Sequence, residues 1–449
     1  MQGAGAGLLG VLVMVLAASG DELPRRALVG VQVVPLVPQL RAEHKVPAEV
    51  RGVLVNEVVA GSAAAATDLQ RGDVIVSANG AATENVAAFL EAVGALRGGA
   101  ELTLDVQRGA DRRTVRFAVG VLPHEEQPDF DIIYGQVRSG DARLRTIVTR
   151  PRVEGRRPGV LLIQGLGCFT VDNPLGEPTD YQNTLYALTR AGFVTLRVDK
   201  PGTGDSEGGP CLDSDFEQVL DGYRQGLAAL KELDCVDADR VFIFGHSMGG
   251  IMGPLLAAET PVRGLIVYGT TARTWIEYTL ENTRRQAQLS RNDYAEIEQR
   301  IREETAFMAA LYVAGKSPDE IAAEHPELAA TVSRQITRGK YMYGRHYKFF
   351  QQLYGKPLAA SWAKCGARVL ALWGESDFLS AGPDHQLIAD IVNRANPGYG
   401  TYRALPGVDH WFKRAATPEA SAASAGRGTF EPAVLDAMRA WLEEQSRAE

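Results

Sequence analysis

The sequence predicts an α/β fold, in which helices cover both faces of a mostly parallel sheet, with a smaller β-rich domain in front of it. Two observations carry this prediction. From about residue 130 onward, short apolar runs at 159–163, 241–244, 265–268 and 367–373 alternate with helical patterns, as in α/β proteins. Before residue 121, short alternating runs are separated by turn residues, which favours a small antiparallel sheet.

The chain begins with a segment typical of a secretory signal peptide. Residues 8–16 are apolar, and Ala-Ala-Ser-Gly at 17–20 supplies the small residues that a cleavage site needs. The apolar run is too short to span a bilayer. No lysine or arginine precedes Leu8, which leaves an uncleaved anchor or a misplaced start as alternatives. We expect residues 1–20 to direct export, so that the protein is periplasmic or secreted.

Residues 27–121 carry the pattern of the β-rich domain. Runs at 52–55, 74–76, 102–106 and 114–119 predict strands, and residues 86–96 predict a helix. The stretch Gly-Asp-Val-Ile-Val-Ser-Ala-Asn-Gly at 72–80 resembles the core motif of PDZ domains of the bacterial exported type. Ala63 and Asp68 depart from the proline and the glycine that this family usually has at those places.

The resemblance to PDZ domains implies a groove for an extended peptide. PDZ domains add the peptide as a strand and hold its C-terminal carboxylate on backbone N–H groups. The residues that would do so here are Leu28, Val29, Gly30 and Val31. The alternative is that the groove takes no ligand and that the domain only docks on the larger one.

A short polar linker is predicted at residues 123–128, which include Glu125 and Glu126. It is too short to act as a free tether, so the two domains should lie close together. The larger domain then begins with a predicted hairpin formed by the runs at 130–138 and 144–149.

The most informative stretch of the chain is Gly-His-Ser-Met-Gly at 245–249. An apolar run precedes it and the small apolar residues 250–258 follow it, so the serine lies between a predicted strand and a predicted helix. This arrangement is typical of a nucleophile elbow, which holds a serine hydroxyl clear of the backbone at the top of a sheet. Ser247 is therefore the candidate nucleophile.

A nucleophilic serine needs a base, and the base needs an acid that orients it. Of the seven histidines, His410 follows the predicted strand at 367–373 in a loop at a suitable distance, and it is the candidate base. Asp377 lies in the turn directly after that strand and is the candidate acid. The alternatives for the acid are Glu375, Asp384 and Asp409.

Attack on a carbonyl also needs hydrogen-bond donors for the oxyanion. One is expected to be the backbone N–H of Met248, which follows the serine. The other is expected in Gln-Gly-Leu-Gly-Cys at 164–168, the glycine-rich turn after the strand at 159–163. Leu166 N–H is the candidate there, with Gly167 N–H as the alternative. The side chain of His246 is expected to pack beside the serine.

Together these motifs resemble the α/β-hydrolase family, over about residues 130–449. Asp-Lys-Pro-Gly-Thr-Gly-Asp-Ser at 199–206 is similar to the D-x-x-G-x-G-x-S loop after the fourth strand of that family, where the glycines and Ser206 shape the wall of the site. Gln164 stands where many members have histidine, which bears on the acyl pocket rather than on the backbone donor. No spacing of cysteine and histidine suggests zinc, and no cofactor or metal is expected.

The resemblance also places two cysteine-bearing loops side by side above the sheet. Four cysteines suit an exported protein with one or two disulfides. A disulfide between Cys168 and Cys211 is expected to fix the rim of the site, with two free buried thiols as the alternative. Cys235 and Cys365 precede strands that should not be adjacent, so they are expected to stay unpaired.

The segment 271–362 is far longer than an ordinary connection between strands and is helical by pattern. The resemblance to the α/β-hydrolase family implies that it forms a lid over the site, since the family places a lid at this position. Ser-Pro-Asp-Glu at 317–320 predicts a helix start. Eight aromatic residues are candidates for lining the site, with burial inside the lid itself as the alternative for each: Trp275, Tyr278, Tyr341, Tyr343, Tyr347, Phe349, Phe350 and Trp362. Further on, residues 416–428 predict a loop and residues 432–445 a closing helix.

These observations predict an exported serine hydrolase that cleaves carboxylic ester or thioester bonds through an acyl-enzyme. A serine peptidase that uses the PDZ domain to present peptide C-termini is the alternative enzyme, and a non-catalytic peptide-binding scaffold is the alternative of another class. The partner is thus a small molecule or a peptide. The net charge of −8 and the lack of a basic stripe argue against nucleic acid.

Overall fold

The computed structural model describes residues 22–447, so the signal peptide predicted at residues 1–20 lies outside the described part of the chain. Within that part, no helix combines the length and the apolar character needed to cross a membrane. The described chain forms an N-terminal domain up to residue 122, a connecting segment at 123–129, and a C-terminal domain from residue 130 onward.

The N-terminal domain is built around an antiparallel sheet with β2 at one edge, in the order β2-β3-β4-β6-β7, and β5 extends β4. A separate pair, β1 and β8, joins the two ends of the domain. The strands are β1 (Ala27–Leu28), β2 (Val31–Pro35), β3 (Val53–Val58), β4 (Val74–Ala78), β5 (Ala81–Ala82), β6 (Glu101–Arg108), β7 (Asp111–Ala118) and β8 (Gly120–Val121), and the helices are α1 (Pro38–Glu43) and α2 (Val86–Gly94).

The C-terminal domain alternates strands and helices around one large sheet. Before the lid it contains β9 (Phe130–Ser139), β10 (Ala142–Pro151), β11 (Arg157–Ile163), α3 (Asp180–Arg190), β12 (Val194–Val198), α4 (Phe216–Glu232), β13 (Val236–His246), α5 (Met248–Glu259) and β14 (Gly264–Tyr268). The segment between β14 and the next strand of this sheet contains α6 (Trp275–Leu289), α7 (Tyr294–Met308), α8 (Pro318–Glu324), α9 (Ala329–Gln335), β15 (Tyr341–Met342), β16 (Arg345–His346), α10 (Tyr347–Tyr354) and α11 (Leu358–Lys364). The domain ends with β17 (Arg368–Gly374), α12 (Gly382–Ala395), β18 (Gly400–Leu405), α13 (Pro418–Ser424) and α14 (Pro432–Arg447).

The large sheet has eight strands in the order β18-β17-β14-β13-β11-β12-β10-β9. The six strands from β18 to β12 run parallel to one another, and β10 is antiparallel to both of its neighbours, β12 and β9. Apolar side chains cover both faces: α3 and α14 pack on one, and α4, α5 and α12 on the other. The strands of a parallel sheet with both faces covered are nearly continuous apolar runs. This is why the apolar runs in the sequence predicted these strands.

Side-chain caps fix the N-terminal ends of several helices. Thr179 and Gln182 form a capping box at the start of α3, and Thr274 and Glu277 form one at the start of α6. The helix start predicted at 317–320 is confirmed, because Ser317 caps α8. Such caps satisfy N–H groups that the first helical turn leaves unpaired.

The loop predicted at residues 416–428 is wrong in its middle, where the chain forms α13. Thr417 accepts a hydrogen bond from the N–H of Ala420, and Pro418 occupies the first turn, so the helix starts despite a composition rich in small residues. It ends at Ala425, which adopts a left-handed conformation with φ of 50°. The buried Ser421 hydroxyl lies 3.4 Å from the carboxylate of Asp409, which fixes α13 beside the loop that carries His410.

A buried arginine joins the two domains. Arg25 lies just before β1 and contacts the carboxylates of Asp205 at 2.5 Å and of Asp172 at 2.8 Å, both on loops of the C-terminal domain. Arg145 on β10 contacts the same two carboxylates and also Asp199. Two cations and three carboxylates are thus buried together, and one of the two cations, Arg25, reaches them only while both domains are in place.

The short polar linker predicted at residues 123–128 holds one side chain that is buried against the C-terminal domain. Glu125 is 6% exposed and accepts hydrogen bonds from Gln182 at 2.6 Å and from the N–H of Asn173 at 2.9 Å. Its carboxylate also contacts Arg197 and Tyr186. Four partners on the C-terminal domain make Glu125 a buried anchor, and nothing in the sequence distinguishes it in this role from its neighbour Glu126.

Candidate active site

The chain makes a sharp, strained turn at the end of β13. Ser247 has φ of 54° and ψ of −119°, an uncommon conformation for a residue with a side chain, and it separates the last residue of β13 from the first residue of α5. A Cβ on Gly249 would lie 2.0 Å from the carbonyl oxygen of Ile163, and one on Gly245 would lie 2.5 Å from that of Gly249. The two glycines are therefore needed for the close backbone approach that holds the serine outward.

The serine opens into a cavity of about 610 Å³ between the sheet and the helical segment 271–362 that was predicted to form a lid. Ser247 is half-buried, and both candidate oxyanion residues, Met248 and Leu166, line the same cavity. Met248 is the first residue of α5, where backbone N–H groups have no acceptor within the helix and carry the positive end of its dipole. Its N–H is thus available to a negatively charged oxygen near the serine.

His410 and Asp377 meet at the edge of this cavity. Nδ1 of His410 lies 2.8 Å from Oδ2 of Asp377, and both side chains are buried. Asp377 also accepts hydrogen bonds from the hydroxyl and N–H of Ser380 and from the N–H of Leu379. Burial alone would raise the pKa of Asp377, but the charge and hydrogen bond of His410 and the bonds from Ser380 outweigh it and bring the pKa to about 2.

The three alternative acids lie in other environments. Glu375 is exposed, and Asp384 pairs with Arg273 at 2.7 Å. Asp409 accepts hydrogen bonds from the N–H groups of Trp411 and Lys413, which shapes the histidine loop. Asp377 is the one of the four candidate carboxylates whose hydrogen bond to the His410 ring is seen in the described chain.

A second histidine forms a hydrogen-bonded chain behind the site. Nε2 of His246 donates to the carbonyl oxygen of His410 at 2.8 Å, and its Nδ1 accepts from the hydroxyl of Tyr181 at 2.5 Å. The N–H of Gly165 in turn donates to the Tyr181 oxygen at 3.2 Å. Burial, and then the nearby charge of His410, lower the pKa of His246 to about 3, so its ring is neutral.

This chain ties the loop of residues 164–168, the serine turn and the histidine loop together. Tyr181 was missed in the sequence analysis, because a tyrosine in the first turn of a helix carries no pattern that points to the site. His246 lies directly before the serine, and its side chain is directed behind the serine turn by the contacts just described.

The glycine-rich turn after β11, called the oxyanion loop below (residues 164–168), lies against the serine. A Cβ on Gly165 would lie 3.4 Å from the Cβ of Ser247. The carbonyl oxygens of residues 165 and 167 accept hydrogen bonds from Lys200, and that of residue 166 accepts them from Arg345. A disulfide joins Cys168 at the end of this loop to Cys211, while Cys235 and Cys365 are unpaired.

Three of the eight aromatic candidates of the lid segment line the cavity: Trp275, Tyr278 and Tyr343. Phe349, Phe350 and Trp362 are buried in the lid and against the sheet instead. Phe169, Trp411 and Phe412 also line the cavity but lie outside segment 271–362, and no pattern in the sequence marks them as lining residues. Among the lining residues Asp180 is the carboxylate, and it pairs with Lys413 at 2.7 Å, so the walls are apolar or neutral.

The four residues predicted to hold a peptide carboxylate run from the end of β1 to the start of β2. Leu28 pairs with Gly120 in the β1–β8 pair, and Val31 opens β2, which is an edge strand of its sheet. Gly30 between them has φ of 82°, and a Cβ there would lie 2.3 Å from that of Ser62. An edge strand has unpaired backbone groups that an added strand can use.

Two family profiles match the chain. The profile described as the alpha/beta hydrolase family matches residues 160–420, which is more than half of the chain. The profile of the PDZ domain matches residues 27–119.

Individual proteins match smaller parts of the chain. Esterase EstD of Thermotoga maritima is 27% identical over 126 residues, which cover 28% of this chain and 30% of the esterase. A probable periplasmic serine endoprotease, DegP-like, of Pseudomonas fluorescens is 40% identical over 76 residues, or 17% of this chain and 16% of that protein. The chain thus spans less than a third of the length of these two curated relatives. The solved structure of Est1E from Butyrivibrio proteoclasticus with bound ferulic acid is 16% identical, with a TM-score of 0.44, over 70% of this chain and 99% of that chain.

Proposed function

This chain belongs to the alpha/beta hydrolase family, and we propose that it cleaves carboxylic ester or thioester bonds through Ser247, His410 and Asp377. The family resemblance, the fold class and the PDZ resemblance predicted from the sequence are confirmed. The observation that carries the proposal is that a strained serine lines one cavity with His410, whose ring is hydrogen-bonded to the buried carboxylate of Asp377.

In the proposed first half-reaction, Oγ of Ser247 attacks the carbonyl carbon while Nε2 of His410 takes the hydroxyl proton. Asp377 holds Nδ1 of His410 protonated, which leaves Nε2 free to act as the base. The N–H groups of Met248 and Leu166 hold the oxyanion. Its collapse breaks the bond to the alcohol or thiol, which leaves with the proton from His410.

In the second half-reaction, water attacks the acyl-enzyme. His410 takes a proton from the water, the oxyanion forms again between the same donors, and its collapse returns Ser247 to the hydroxyl form with the proton from His410. The products are the carboxylic acid and the alcohol or thiol, and no other reactant is consumed.

The cavity supports a small, neutral substrate. Its volume of about 610 Å³ suits a small-molecule ligand. Trp275 and Phe169 offer flat apolar walls, while Asn282 and Gln286 on α6 offer neutral hydrogen-bonding groups. Since Asp180 is paired, no lining residue is an uncompensated charge that would select an ionic acyl group.

One feature favours a second candidate, a peptidase. The edge strand β2 beside α2 offers a place for an extended peptide whose C-terminus would lie at Leu28, Val29, Gly30 and Val31. In that case the N-terminal domain presents a chain that the C-terminal domain cuts.

We further propose export to the periplasm or beyond, supported by the sequence of residues 1–20, by the disulfide and by the periplasmic relative.

A substrate panel tests the proposal. Full-length protein is assayed with short- and long-chain p-nitrophenyl esters, an acyl thioester and peptides that end in apolar residues, with Ser247→Ala as the blank. We expect the highest kcat/KM on small neutral esters or thioesters. Turnover of peptides alone would replace this proposal with the peptidase, and no turnover of any class would favour a binding scaffold.

A further inference from the structure

Three consecutive carbonyl groups of the oxyanion loop are held by two buried basic side chains. Nζ of Lys200 lies 2.5 Å from the carbonyl oxygens of both Gly165 and Gly167. Nε and Nη2 of Arg345 lie 3.0 and 2.9 Å from the carbonyl oxygen of Leu166. No carbonyl between residues 165 and 167 is therefore left to turn freely.

These two side chains are costly to bury. Lys200 is 3% exposed and Arg345 is 1% exposed. Among residues 22–447, neither forms a salt bridge with a carboxylate, so their hydrogen bonds to main-chain carbonyls are what compensates the burial. Burial, and then the nearby Arg345, lower the pKa of Lys200 well below its ordinary range. Even a neutral amine retains two N–H groups for the two carbonyls.

Fixing these carbonyl groups also fixes the N–H groups on the opposite side of the same peptides. In a planar trans peptide, the carbonyl of one residue and the N–H of the next point in opposite directions, and the described chain has no cis peptide bond. Holding the carbonyl of Gly165 therefore fixes the N–H of Leu166, and holding the carbonyl of Leu166 fixes the N–H of Gly167. These two N–H groups are the two candidates for the second oxyanion donor.

Arg345 also brings in the lid. It lies on β16, and its Nη1 donates to the carbonyl oxygen of Cys211 at 2.6 Å, beside the disulfide to Cys168. One guanidinium thus fastens the lid, the oxyanion loop and the loop after β12 to one another. Lys200 reaches the oxyanion loop from the same loop after β12, on the D-x-x-G-x-G-x-S motif.

We propose that Lys200 and Arg345 are positioning residues that preorganise the oxyanion hole by holding the carbonyl side of its donor peptides. This inference rests on the proposed function, since it assigns the donors of the same site. Lys200 holds the peptide of Leu166 and has the larger share of the effect, and Arg345 holds the peptide of Gly167 and aligns the lid. Donors held in advance need no reorganisation when charge develops on the substrate oxygen.

The test compares Lys200→Met and Arg345→Met in the full chain, with a small p-nitrophenyl ester as substrate. It also measures the inhibition constant of a trifluoromethyl ketone, which forms a tetrahedral oxyanion on the serine. We expect kcat to fall by roughly 10–10³-fold in Lys200→Met and less in Arg345→Met. KM should change little, and the affinity for the ketone should fall by the same factor as kcat.

Arg197→Met is the matched control, because Arg197 is an equally buried basic residue on β12 that holds Glu125 rather than the oxyanion loop. It should lower the melting temperature while kcat and ketone affinity stay at the wild-type values. Lys200→Gln keeps an N–H donor without the charge, and it should recover part of the kcat lost in Lys200→Met. If Lys200→Met does not fold, Lys200→Gln takes its place, and its kcat and ketone affinity are compared with those of the wild type.

Wild-type kcat and ketone affinity in folded Lys200→Met and Arg345→Met would overturn the inference. So would a loss that appears in KM and stability alone, since that is the pattern of a purely structural role. Both results leave the proposed function intact, because Ser247 and His410 would still be at work. A wild-type protein that turns over no ester and does not react with the ketone overturns the proposed function instead.

Discussion

Nδ1 of His410 lies 2.8 Å from Oδ2 of Asp377, inside a loop that gives the same carboxylate three further donors. These three donors fix the position of the carboxylate independently of the imidazole. Because Nδ1 is hydrogen-bonded to it, Nε2 is the ring nitrogen that points away. In the proposed mechanism this leaves Nε2 as the base.

Asp377→Asn should lower kcat on a small ester by about 10³–10⁴-fold, because an amide stabilises the wrong imidazole tautomer and does not compensate the imidazolium. KM should change little. Stopped-flow or steady-state assays of purified protein measure both. Glu375→Gln is the matched control, since Glu375 is an exposed carboxylate two residues away, and it should retain wild-type kcat. Comparable losses in the two variants would contradict the assignment of the acid.

His246 should make the folded state sensitive to acid. Its folded pKa is lowered to about 3 from an ordinary value of 6.5, so the unfolded chain binds this proton at a higher pH than the folded chain does. The free energy of unfolding should therefore fall as pH decreases between these two values, by about 1.4 kcal/mol per pH unit for one proton. Urea unfolding at a series of pH values measures this slope.

The matched variant for this prediction is His246→Gln, which keeps an amide donor for the carbonyl of His410 and cannot take up the proton. The slope of its unfolding free energy against pH should be smaller by the contribution of about one proton over the same pH range. Asp377, whose pKa falls from an ordinary 3.8 to about 2 on folding, contributes stability that is lost between these two values, so it adds to the slope only at the acid end of the range. An unchanged slope in His246→Gln would show that another group causes the acid sensitivity.

Arg25→Met should destabilise the C-terminal domain although Arg25 lies outside it. The change leaves Asp172 and Asp205 with Arg145 as their remaining salt-bridge partner in a buried cluster. Breaking such a pair costs about 3–5 kcal/mol, and calorimetry or urea unfolding measures it. A chain that lacks residues 22–122 should show the same loss and retain hydrolysis of small esters at low temperature.

Arg143→Met is the control for this prediction, because Arg143 pairs with Glu207 at the protein surface. Exposed pairs of this kind contribute little. The double variant with Arg25→Met and Asp205→Asn should recover part of the loss, since it removes an uncompensated carboxylate. If Arg25→Met is as mild as Arg143→Met, the two domains are held together by other contacts.

The disulfide between Cys168 and Cys211 should stabilise the rim of the site. It closes a loop with a sequence separation of 43, and its loss should cost about 2–4 kcal/mol. Cys168→Ser with Cys211→Ser should lower kcat as the oxyanion loop loosens, without unfolding the N-terminal domain. Cys235→Ser, at an unpaired cysteine, is the control. Non-reducing peptide mapping that finds both thiols free in oxidised, exported protein would contradict the bridge.

Much of the fold followed from local patterns. The buried parallel strands are continuous apolar runs, and the glycines around Ser247 mark a turn that only a close backbone approach explains. The sequence pointed to Asp377 and His410 as candidates because both follow β17 in chain order, and the carboxyl ends of parallel strands meet at one edge of the sheet.

The other residues that shape the site contact distant segments of the chain, which leaves no local pattern. Arg345 contacts a carbonyl 179 residues away, and Tyr181 contacts a histidine 65 residues away. Glu125 has the sequence context of a surface linker and is buried by partners from three other segments. The helix α13 depended on a threonine cap within a run of small residues that otherwise favours a loop.

The most direct test of the account is covalent labelling of the serine. Full-length protein is treated with a fluorophosphonate, digested, and the modified peptide is identified by mass spectrometry, beside Ser247→Ala and His410→Ala. The account predicts one equivalent of label on Ser247 in the wild type, none in Ser247→Ala, and much slower labelling in His410→Ala, with ester hydrolysis lost in parallel. Labelling of another residue at the wild-type rate, or full ester hydrolysis by Ser247→Ala, would contradict it.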